Sequence, residues 1–70
     1  MTRQHVSSSN VRSVGFDSSS QILEVEFHNG GVYHYYGVPE SIYRGFMAAG
    51  SKGTYLNDRI KDRYRYRKVG

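Results

Sequence analysis

Polar and apolar positions alternate most regularly over Leu23-Glu24-Val25-Glu26-Phe27, with three apolar residues on one side and two glutamates on the other. A period of two marks a strand with one buried face. Asn29-Gly30 follows, and both residues tolerate the left-handed backbone of a hairpin turn. Val32 to Tyr36 then resumes with β-branched and aromatic residues, which suit a pleated surface. Upstream, Asn10 to Phe16 reads as another strand, with Val14 and Phe16 on one face and Arg12 at the exposed end. Val11 and Gly15 alternate to the other side. Asp17-Ser18-Ser19-Ser20 is the intervening turn, rich in side chains that bond their own backbone. The pattern predicts a three-stranded antiparallel meander.

A slip of one residue in the second hairpin would turn every side chain to the other face. A two-residue Asn29-Gly30 loop pairs Phe27 with Val32 and puts Val32, His34 and Tyr36 among the apolar residues. A three-residue loop, His28-Asn29-Gly30, pairs Val25 with Tyr33 and Leu23 with Tyr35. It leaves His34 among the glutamates. The second register is favoured, because a histidine buried without a partner costs more than Val32 and Tyr36 exposed at an edge.

Gly37-Val38-Pro39-Glu40 switches the chain to helix. Proline suits the first helical turn and a carboxylate there complements the helix dipole. Ile42, Phe46 and Met47 share a face opposite Arg44, predicting a helix over 39–49 that ends at Gly50. Ser51 is the expected N-cap of a second helix with Tyr55, Leu56 and Ile60 as its apolar stripe. The last segment, Arg63-Tyr64-Arg65-Tyr66-Arg67-Lys68, alternates with period two, as an extended tail or an added edge strand would. Residues 1–8, polar and without periodicity, are expected to be a flexible arm ahead of a domain over 9–70. The fold class is α+β: a meander, two short helices and a basic tail.

Seventy residues make one domain, which buries only ~60% of the surface its unfolded chain exposes. There is no cysteine, which excludes thiol redox chemistry and thiolate metal sites. No run approaches the ~18 apolar residues of a membrane span, and no secretory leader pattern opens the chain. A cytoplasmic protein without a membrane partner is expected.

Charge changes the picture more. The net charge is +4, but residues 1–50 hold three bases and four acids, whereas residues 51–70 hold seven bases and two acids. An excess confined to one end suits an anionic partner, nucleic acid first, or else keeps a solvated tail soluble.

In their order, Ser9-Asn10-Val11, Leu23-Glu24-Val25-Glu26-Phe27, Gly30-Gly31-Val32-Tyr33-His34-Tyr35, Gly37-Val38-Pro39 and Ser51-Lys52-Gly53 leading to Tyr55-Leu56-Asn57 resemble the KTSC domain. The likeness runs from about Ser8 to Val69. That domain takes its name from the C-terminal appendage of some lysyl-tRNA synthetases and also occurs as small free-standing bacterial or phage-encoded proteins. This chain is similar to the free-standing kind. The resemblance implies an RNA-binding role.

Three candidate sites follow. Tyr33 and Tyr35, two apart on a strand, can stack bases or, in the favoured register, pack in the core with their hydroxyls at its margin. Ser51-Lys52-Gly53 combines free backbone N–H groups, an ammonium and an unobstructed glycine, which suits a phosphate, although helix capping accounts for part of that pattern. Gly45 to Lys52 lacks the Gly-Lys-Ser/Thr order of a P-loop and spans a helix end. In the tail, the guanidiniums of Arg63, Arg65 and Arg67 with Lys68 suit phosphates, and Tyr64 and Tyr66 suit exposed bases. Arg59 adds to the same half.

Catalysis lacks a foundation in the sequence. His5 falls in the arm, His28 in a turn and His34 on a strand, while Asp58 and Asp62 sit one helical turn apart where solvation accounts for them. No catalytic residue, metal ligand, cofactor or small-molecule substrate is expected. The expected function is a non-catalytic nucleic-acid-binding module for tRNA or single-stranded RNA. The alternative is a protein-interaction module or accessory domain.

Overall fold

The computed structural model describes residues 1–70. Five antiparallel strands lie side by side in chain order: β1 (Arg3–His5), β2 (Val11–Asp17), β3 (Ile22–Phe27), β4 (Val32–Tyr36) and β5 (Tyr66–Lys68). Between β4 and β5 the chain forms α1 (Glu40–Ala48) and α2 (Lys52–Tyr55), the latter running on as a π-helical segment over Leu56–Lys61. The α+β class stands, but the sheet has five strands where three were expected. The added strands are the two ends of the chain. β1 pairs Arg3 with Gly15 and His5 with Ser13, and β5 pairs Tyr35 with Tyr66 and Tyr33 with Lys68.

The β3–β4 register is the favoured one. Val25 faces Tyr33, Leu23 faces Tyr35 and Glu24 faces His34. Phe27 N–H donates to the Gly31 carbonyl at 2.8 Å, closing a three-residue loop in which Gly30 takes φ +95°. Only glycine adopts that backbone without strain. The Asn29 carboxamide accepts from Gly31 N–H at 2.9 Å and braces the turn. β4 is no sheet edge. Tyr36 N–H donates to Arg65 O and Val69 N–H to Val32 O, both at 2.8 Å.

β2 departs from simple alternation. Val11 pairs with Phe27 and Ser13 with Glu26, so Arg12 is an extra residue bulged out of the ladder. The bulge returns Val11 to the apolar face, where it is fully buried beside Val14, and this corrects its expected place next to Gly15.

α1 and α2 cover one face of the sheet. The core consists of Val11, Val14, Leu23, Val25 and Tyr35 from the strands, Val38, and Phe46, Leu56 and Ile60 from the helical layer. Phe16 stacks on Tyr43 at 4.7 Å between ring centroids, and Phe46 stacks on Tyr55 at 5.8 Å. Tyr55 also donates its hydroxyl proton to Ile42 O at 3.0 Å, which ties α2 to α1. Gly45 allows this approach, because a Cβ there would overlap the Tyr55 hydroxyl. No helix is long and apolar enough to cross a membrane.

Candidate functional site

The two faces of the sheet differ in chemistry. On the open face Arg3 Nε lies 3.2 Å from Glu24 and its Nη1 3.6 Å from Glu26. The Ser13 hydroxyl donates to Glu26 at 2.8 Å, and His34 Nε2 donates to Glu24 at 2.7 Å. The Ser13 bond, helped by Arg3, Arg12 and His5, holds the Glu26 carboxyl below its ordinary range. Arg67 faces His34 across the β4–β5 ladder and extends this polar surface. His28 Nε2 donates to Ser8 O at 2.8 Å and does not join the cluster. The chain brings no three His, Asp or Glu side chains together around a metal position.

The helix-covered face is aromatic. Strand alternation puts Tyr33 and Tyr35 of β4 on the same side as Tyr66 of β5. Their ring centroids form a triangle with sides of 6.5, 6.0 and 5.8 Å. Phe27 meets Tyr33 edge-on at 5.6 Å. Tyr35 is only 4% exposed and Tyr66 is 58% exposed, so the triangle runs from core to surface. Burial, with Tyr33 and Tyr66 alongside, pushes the Tyr35 hydroxyl up to about 12.

Between these rings and α2 lies a cleft of about 570 Å³. Its floor is Phe27, Leu56 and the tyrosines, and its rim carries Asn10, Asn29, Asn57 and Lys61. The π-helical turn puts Leu56 and Ile60 in the core while Asn57 and Lys61 border the opening. Such wide turns are rare and recur at functional sites. Gly53 also borders it, and a Cβ there would come within 2.8 Å of the Asn10 amide nitrogen.

The fold separates the residues singled out from the sequence. Tyr33, Tyr35, Tyr66 and Gly53 come together at the cleft, and Lys68 stands across from Tyr33. Ser51 is the N-cap, its hydroxyl accepting from Thr54 N–H at 3.3 Å. Lys52 Nζ donates to the carbonyls of Met47 and Ala49 at 3.1 and 2.7 Å, closing the C-terminal end of α1. An ammonium has three protons, so one remains after these bonds. Arg59 is exposed on the outer side of the π segment. Arg63 donates to Asp58 O at 2.9 Å, and Arg63, Tyr64, Arg65 and Tyr66 line a shallow second depression with Lys61. Asn10, Asn57 and Lys61 were missed. Their spacing is ordinary, and only the pairing of β5 brings the aromatic wall opposite them.

The fold is a small five-stranded meander under a helical layer, and the KTSC domain family matches it over residues 7–64. The chain belongs to that family. It is 43% identical to a KTSC domain protein of Yersinia pestis of known crystal structure, with a TM-score of 0.95 over 99% of this chain and 97% of that one. An uncharacterized protein of Stutzerimonas stutzeri is 40% identical over 99% of both chains. A lysine–tRNA ligase of Nostoc punctiforme is 31% identical over 84% of this chain, which corresponds to 10% of the ligase. The small relatives match end to end, and the ligase carries the same unit as one segment.

Proposed function

We propose that this domain binds RNA, tRNA or single-stranded, through phosphate contacts from its basic C-terminal half. The observation that carries the reading is the charge of residues 51–70, seven bases against two acids, on the segment that forms β5 and its approach. Arg59, Arg63, Arg65, Arg67 and Lys68 are exposed and supply the cations. Lys52 holds α1 first and offers its remaining proton to an anion. The similarity to a segment of lysine–tRNA ligases supports a partner of this class. Tyr66, exposed beside these cations, supports contact with unpaired bases.

Titration with single-stranded RNA and with tRNA at low salt tests the reading. Binding should weaken steeply with salt, by roughly 0.7 in the log–log slope for each phosphate neutralised on a single strand. Joint reversal of Arg63, Arg65 and Arg67 to Glu should abolish most affinity. Absence of binding to both RNAs at low salt defeats the proposal, and an unchanged affinity after the triple reversal removes the tail from it.

A further inference from the structure

We infer that the cleft between the tyrosine triangle and α2 receives one unpaired nucleobase of a single-stranded nucleic acid, with its neighbouring phosphate at Lys61. This rests on the nucleic-acid reading above and assigns it a place. Four features of the cleft support the assignment.

Tyr66 is the first. Its partners in the ladder and in the triangle hold the ring over the cleft, yet 58% of the residue stays exposed. A ring braced by Tyr33 and Tyr35 at 6.0 and 5.8 Å is a prepared surface for a further flat π-system. The second feature is size. At about 570 Å³ the opening falls within the ~300–1,000 Å³ of sites that enclose small organic groups.

Polarity is the third. An aromatic floor is rimmed by the carboxamides of Asn10 and Asn57. Each amide offers a donor pair and an acceptor, the complement of a base edge. Asn29 is less available, since its oxygen already accepts from Gly31 N–H. The fourth is charge. Lys61 is the one charged residue lining the cleft, and no carboxylate borders it. Glu24 and Glu26 project from the opposite face of the sheet, paired with His34, Arg3 and Ser13. The cleft therefore combines stacking surface, edge-reading amides and a cation without a repelling anion.

The experiment compares three probes: a short oligouridylate, an abasic ribose-phosphate oligomer of equal length, and uridine monophosphate. Binding is followed by tyrosine fluorescence, the protein having no tryptophan. The base-bearing oligomer should bind roughly 5- to 150-fold more tightly than the abasic one, the worth of one base stacked on an aromatic ring. Tyr66→Leu should erase that preference, read as the ratio of the two affinities within the same variant, and Tyr66→Phe should keep it.

Gly53→Ala supplies a second arm should Tyr66→Leu disturb β5. The new Cβ pushes the Asn10 amide, and the preference should shrink without loss of abasic binding. Equal affinity for both oligomers overturns the cleft assignment while leaving phosphate binding standing. Absence of binding to either oligomer while tRNA still binds overturns the cleft assignment, and absence of binding to tRNA as well overturns the nucleic-acid reading itself. Competition by uridine monophosphate as strong as by the oligomer overturns the assignment to a polymer.

Discussion

Tyr66 lies directly across the β4–β5 ladder from Tyr35, their ring centroids 5.8 Å apart, although one belongs to the basic tail and the other to the central hairpin. The tail and the hairpin are thus one surface. A segment that could have remained a loose polycation is pinned by strand pairing. The pairing sorts its side chains: Tyr66 and Lys68 turn to the helix-covered face, and Arg67 turns to the open one.

The burial of Tyr35 predicts a stability limit at high pH. Its hydroxyl is raised to about 12 from an ordinary 10.0, chiefly by burial. A phenol that ionises later in the folded state contributes fully below about pH 10. That contribution drains away between pH 10 and 12, because the unfolded chain releases the proton first. An ultraviolet titration of the folded protein should show a late phenolate step near pH 12. Tyr35→Phe should remove this part of the alkaline decline. An identical alkaline slope in that variant refutes the assignment.

Acid should act through Glu26. Its carboxyl is lowered from an ordinary 4.5, first by the Ser13 hydroxyl. The folded state therefore binds that proton less readily than the unfolded chain does. The resulting stability is present above about pH 4.5 and is lost as pH falls through the lowered folded value. Ser13→Ala should flatten the acid limb of a plot of urea midpoint against pH, and an unaltered limb counts against the bond.

Gly45 reports on the α1–α2 contact. Alanine in a helix interior is ordinarily worth about 1 kcal/mol more than glycine. Here the added methyl overlaps the Tyr55 hydroxyl, and overpacking costs about 1–3 kcal/mol. Gly45→Ala should lower the melting temperature, and Tyr55→Phe in the same chain should recover part of the loss. Stabilisation by Gly45→Ala alone would show that Tyr55 gives way freely.

Lys52 is expected to matter for folding before it matters for binding. Its ammonium bonds two carbonyls at the end of α1, and loss of such charge-assisted bonds costs about 1–2 kcal/mol at a half-buried site. Lys52→Met keeps the aliphatic stem and removes the donor. Its urea midpoint should fall, and an unchanged midpoint means that the cap contributes nothing.

Most of the central sheet was legible because local and long-range signals agreed there. The alternation around Val25 and the Asn29-Gly30 turn specified one register, and leaving His34 beside Glu24 was the choice that satisfied it. β1 left no such trace, since Arg3, Gln4 and His5 are all exposed and carry no apolar period. The bulge at Arg12 was equally silent, because an extra residue changes which face Val11 occupies without changing composition. The helical stripe of Leu56 and Ile60 was visible, but the π turn that carries Asn57 and Lys61 to the cleft depends on tertiary packing. For the candidate site, sequence supplied Tyr33, Tyr35 and Tyr66 as separate residues. The β5 register joined them.

The order of strands in space repeats their order in the chain, and this has a kinetic consequence. Each of the three ladders that join β1 to β4 closes across a short connection, so little loop entropy opposes it. Only β5 must wait, since its partner β4 lies on the far side of both helices in the chain. Hairpins should therefore assemble rapidly, with closure of the tyrosine wall as the last event. The surface assigned here to RNA would then be the part of the molecule completed last and opened first.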